Sequence, residues 1–148
     1  MRMTRKICIL LGLLIAFVSF LCVPQAETQE KKGKKTATLP NGEVILDIGG
    51  EWDVLVENYG QWSFAGSYPQ KMNITQEGSS FVGTRMMNDP YNAKGSTVIR
   101  GELDKTGVKK VTVMTGMGPQ DGKAEISEDG NKIIIDVYDK GKQTLTRK

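Results

Sequence analysis

"DIGGEWDVLVEN", residues 47–58, decides how the rest of the chain reads. Trp52, Val54 and Val56 alternate with Asp53, Leu55 and Glu57. A period of two, with one apolar face and one mixed face, is the mark of a half-buried β-strand. This strand also carries one of only two tryptophans among 148 residues, directly behind Gly49, Gly50 and Glu51.

The same period continues C-terminally. "QWSFAGSY" puts Trp62, Phe64 and Tyr68 on one parity, and "KMNITQ" alternates Met72, Ile74 and Gln76 with Asn73 and Thr75. "SFVGTRM" follows across a turn. "STVIRGEL" and "VKKVTVMT" flank "DKTG" (104–107), and "KAEIS" and "NKIIIDVY" flank "EDGN", whose Asp129-Gly130 is a strong hairpin signal. "DKGK" (139–142) turns the chain into "QTLTR". "NDPYNAKG" (88–95) and "GMGPQDG" (116–122) are rich in Gly, Pro, Asn and Asp and read as loops. The run Ile133-Ile134-Ile135 breaks the alternation and suggests a strand covered on both sides. No stretch shows capped helical spacing. About eight to ten short strands joined by tight turns predict an all-β domain over residues 39–148. Short links favour an antiparallel up-and-down barrel, because closure removes exposed edges.

N-terminal to this domain the composition changes. Arg2, Arg5 and Lys6 precede the apolar run "ICILLGLLIAFVSFLCV", and "PQA" ends at Ala26. This is the layout of a secretory signal peptide over residues 1–26, forming a signal helix. The apolar run is also long enough for an uncleaved membrane anchor. Residues 27–38 contain "EKKGKK", have no hydrophobic period, and read as a disordered charged linker. The expected location is secreted or periplasmic, with tethering by the N-terminal segment as the alternative.

Charge and residue absences narrow the function. The chain has 20 Lys and Arg against 17 Asp and Glu, and three of the basic residues and none of the acids precede residue 27. The remainder therefore balances at 17 of each, leaving no footprint for nucleic acid. Both cysteines, Cys8 and Cys22, lie in the leader, and the chain has no histidine. That excludes disulfides in the domain, zinc sites built on His or Cys, Ser–His or Cys–His nucleophiles, and haem on an axial His or Cys. Glu51, Asp53 and Glu57 fall on the outward parity if Trp52 faces in, so no carboxylate pair stands out for acid–base work. Met72, Met86, Met87, Met114 and Met117 form no tight Met-x-Met cluster. No catalytic residue, metal site or cofactor is expected. An exported domain without cysteine fits a bacterial envelope.

Gly50-Glu51-Trp52 opens a strand near the start of the β-meander, and Arg147 ends its last strand. In these positions the sequence resembles the calycins, the lipocalins, fatty-acid-binding proteins and their bacterial relatives. The resemblance implies a small barrel in which Trp52 closes one end and Arg147 packs across its indole. The chain is short for a full lipocalin and lacks the usual disulfide and later motifs. A cation over an indole is worth about 0.5–2 kcal/mol, so the pairing is also sensible physically. Trp62, Phe64, Tyr68 and Phe81 are candidates to line an apolar ligand cavity, or to fill the core. Arg85 and Arg100 lie in strands, where an inward Arg can pair with a ligand carboxylate and an outward one is a solvated charge. The expected function is non-enzymatic binding of a small apolar or amphipathic ligand at one barrel mouth, opposite Trp52. The alternative is a structural or protein-interaction domain with a filled core.

Overall fold

The computed structural model describes residues 34–148. The expected signal segment and most of the charged linker lie outside the described residues. Ten strands follow: β1 (Thr36–Thr38), β2 (Val44–Leu46), β3 (Gly50–Asn58), β4 (Ser67–Glu77), β5 (Ser80–Arg85), β6 (Thr97–Asp104), β7 (Gly107–Thr115), β8 (Gly118–Ile126), β9 (Lys132–Val137) and β10 (Gly141–Arg147). β1 and β2 pair with each other, and the other eight form a closed antiparallel barrel in which every neighbour but the closing pair is consecutive in the chain. The closing pair is β10 with β3, registered as Gln143 opposite Val56, Leu145 opposite Val54 and Arg147 opposite Trp52.

Alternation places the core. Trp52, Val54 and Val56 of β3, Met72 and Ile74 of β4, Val111 and Val113 of β7, Ile133 and Ile135 of β9, and Leu145 of β10 are buried together. Each such side chain contributes about 1.5–3 kcal/mol relative to exposure. Bulk on one strand is matched by a gap on another. Phe81 lies over Gly101, where an added Cβ would stand 2.6 Å from the Phe81 ring and 2.1 Å from the Lys110 carbonyl oxygen. The alternation slips at two places, between Gly83 and Thr84 and between Glu102 and Leu103. The first slip adds Val98 to its strand, and Val98 and Ile99 are consecutive and both buried.

Four expectations are corrected. Trp62 and Phe64 do not lie on a strand: Gly60–Ala65 forms a short 3-10 helix. It is bracketed by Gly60 at φ 58° and Gly66 at φ 61°, values that break a strand. "GMGPQDG" is mostly strand, since β8 begins at Gly118 and pairs with β7 as Thr115 opposite Gly118. Pro119 is tolerated because β9 joins β8 only from Lys123 onward, so Pro119 lies where β8 has a single neighbour. Thr36–Thr38, inside the stretch expected as linker, forms β1. Its partner β2 includes Ile45, and Ile45 and Ile48 are buried in the core, so folding starts before Leu39. Ile134, expected to be covered, is half-buried while its neighbours Ile133 and Ile135 are fully inside.

Candidate functional site

The two ends of the barrel differ. At one end, Trp52 is 0% exposed and its indole N–H donates to the Ile48 carbonyl at 3.0 Å. The guanidinium carbon of Arg147 lies 4.6 Å from the centre of the indole. Arg147 also donates to the carbonyls of Asp47 at 2.8 Å and Gly49 at 3.1 Å. Those carbonyls belong to the segment entering β3, so Arg147 joins the last strand to the approach of the first. Gln76 fastens the same segment, accepting from the Ile48 N–H at 2.9 Å and donating to the Leu46 carbonyl at 3.0 Å. This end is filled.

At the other end four connections meet: the 3-10 helix, the loop 86–96, the two-residue turn Gly116-Met117, and the turn 138–140. They surround a cavity of about 190 Å³, largely apolar, that reaches down to Val56, Val113 and Val137. For scale, a dry cavity of about 150 Å³ admits benzene.

Each rim element is held by a specific contact. Gly60 approaches the β9–β10 turn so closely that a Cβ would stand 2.1 Å from the Asp139 carbonyl oxygen. Lys140 lies 5.6 Å from the centre of the Trp62 indole, and its ammonium also bonds the Gln120 side-chain oxygen. Tyr91 tilts against Tyr68 with ring centres 5.6 Å apart, and its hydroxyl donates to the Ala65 carbonyl at 3.2 Å. The loop 86–96 is thereby tied to the 3-10 helix across the mouth.

Arg85 anchors that loop from below. It is buried, and its Nε bonds the Asp89 carboxylate at 2.5 Å while Nη1 donates to Ser96 Oγ at 2.9 Å. The other Asp89 oxygen accepts from the backbone N–H groups of Tyr91 and Asn92, each at 2.8 Å. Burial works against ionising Asp89, but the N–H of Tyr91 and the Arg85 guanidinium outweigh it and hold its pKa below the usual carboxylate range. Burial, with the Asp89 charge, pushes the Tyr68 phenol up.

Of the six residues nominated from sequence, Trp62, Phe64, Tyr68 and Arg85 line this cavity. Phe64 is 84% exposed, standing over the entrance rather than inside. Two nominations are corrected. Phe81 is a core residue toward the Trp52 end, because Gly101 leaves it space there. Arg100 is exposed, on the outward parity of β6 opposite Thr112. Arg85 does face inward, but its partner is Asp89 of its own loop.

Sequence reasoning did not single out Tyr91, Lys142 or Gln143, and it weighed Met117 only as one of five scattered thioethers; all four also line the cavity. Tyr91 sits in a loop with no period to assign it a face. Gln143 was the more readable: it shares parity with Leu145 and Arg147, so an inward Arg147 strand end implies an inward amide. Compared with known proteins, the chain matches no family model, no curated protein and no solved structure.

Proposed function

We propose that this is an exported, non-enzymatic binding domain of a bacterial envelope, related to the calycins, that takes a small apolar or amphipathic ligand into its open mouth. One observation carries the reading: a barrel plugged at the Trp52 end and open onto an apolar cavity at the other. The Trp52–Arg147 contact, with Arg147 from the last strand across a Trp of the first barrel strand, supports the calycin relationship. Exposed Phe64 and Met117, at 84% and 78%, give a ligand apolar surface to meet before it enters. The same exposed side chains favour the second reading, in which the rim contacts another protein and no small ligand enters.

Gently purified protein from the native source, analysed by native mass spectrometry, tests the reading together with a thermal-shift screen of small amphipaths. A bound small molecule, or a saturable rise in melting temperature, is expected. Neither mass nor shift across the panel, with a protein recovered on the rim instead, would favour the second reading.

A further inference from the structure

Among the described residues, three buried side-chain polar atoms have no protein partner: Gln70 Nε2, Gln70 Oε1 and Gln143 Oε1. Gln143 is 8% exposed and lines the mouth cavity, at the level of Val56 on the neighbouring strand. Gln70 lies opposite Val54, one inward position further down β3. A buried polar group without a partner costs about 1–3 kcal/mol. A small apolar cavity with such a group in its wall therefore gains from an occupant that brings a hydrogen-bonding atom to it.

The charges around the cavity restrict what that atom belongs to. Two cationic side chains line it, and both already hold a carboxylate. Arg85 is paired with Asp89, and Lys142 with Glu57 at 3.0 Å. Lys140, the rim cation that holds no carboxylate, lies over Trp62 and bonds Gln120 but does not line the cavity. A ligand carboxylate seated at the level of Gln143 would therefore lose its water with no unpaired cation beside it, a large penalty for a charge. A neutral head meets no such barrier. The Gln143 oxygen has almost no accessible surface, so an occupant reaches it through a turn of the side chain, which then offers an acceptor through its oxygen and a donor through its NH2. Its complement is a neutral group that both donates and accepts.

We infer that the ligand is a neutral amphipath whose hydroxyl or carboxamide head is bound inside the barrel by Gln143, with its apolar part against the aromatic rim. This rests on the binding function proposed above. The head goes in first because the unpartnered amide lies below the rim, while Trp62, Phe64 and Tyr91 are at or near the entrance.

The test compares octan-1-ol, octanamide and octanoate at pH 7, with toluene as an apolar control, by calorimetry or by Trp62 fluorescence. The alcohol and the amide are expected to bind at least about tenfold tighter than the carboxylate. Gln143→Met, of similar length and without the amide, is expected to lose about fivefold for the alcohol and amide and nothing for toluene. Octanoate binding as well as octanol overturns the inference on the unmodified protein, whatever the variant does. An unchanged ranking in a folded Gln143→Met overturns it too. If toluene binds but the heads make no difference, the cavity reading stands and this inference falls. If none of the four binds, both fall.

Discussion

Trp52 and Trp62 are ten residues apart in the chain and at opposite ends of the barrel. Each has a cation against its indole, Arg147 for the first and Lys140 for the second. The surroundings make them different. Trp52 is sealed by two carbonyl-bonded guanidinium contacts and by an indole N–H bond to Ile48. Trp62 sits half-exposed on a short 3-10 helix between two left-handed glycines. The same pairing of ring and cation serves as a plug where backbone closes around it, and as a rim where backbone turns away.

If that contrast is right, damage to the closed end reduces stability without moving binding, and damage to the exposed rim reduces binding, while the buried Arg85–Asp89 pair beneath the mouth loop touches both. The largest loss is expected from Trp52→Ala, about 4 kcal/mol in urea unfolding, because a large plug leaves a cavity that eight strands cannot collapse around. Next is Asp89→Ala, about 3 kcal/mol, since Arg85 is left buried without its partner. That variant breaks the contrast unless it also releases the loop 86–96, detectable as faster hydrogen exchange at Tyr91 and Asn92.

Acid acts on the same pair. Asp89 has a folded pKa below its unfolded value, so its contribution is present above about pH 4 and is lost as pH falls through the folded value. The mouth loop is expected to hold at pH 5 and loosen only in stronger acid. A loosening centred near neutral pH, followed by tyrosine exchange or fluorescence, would assign it to another group.

Arg147→Ala is expected to cost about 2 kcal/mol, combining the lost cation–π contact and two charge-assisted hydrogen bonds, and to shift Trp52 emission. Ligand affinity at the mouth should not move. The smallest effect on stability is expected from Phe64→Ser, within about 0.5 kcal/mol, because the ring is exposed. If the rim feeds the cavity, the same variant weakens binding of the proposed ligand.

Much of the fold was legible because alternation reports burial directly. The β3 pattern around Trp52 and the Asp129-Gly130 turn are local signals, and local signals survive without knowledge of partners. Period two failed at residues 60–66, where Trp62 and Phe64 keep strand spacing but two positive-φ glycines set the backbone. Composition also failed at residues 118–122, where Gly and Pro suggested a loop. Pro119 is compatible with strand there only because β9 stops pairing with β8 before reaching it, a fact of register between distant segments. The position of Arg100 depended on a bulge, and the partner of Arg85 on how a loop folds back. Neither is written in periodicity. Trp52 and Arg147 were readable as a pair because β3 and β10 lie at the two ends of the meander, and closing a barrel brings its first and last strands together.

The two tryptophans allow a direct test of the contrast between the ends. Wild type and Trp62→Phe are titrated with octan-1-ol while tryptophan emission is recorded, with binding verified independently by calorimetry. A saturable emission change in wild type that nearly vanishes in Trp62→Phe, while binding persists, is the expected result. An equal change in both proteins would place the ligand at the Trp52 end and contradict the open-mouth reading.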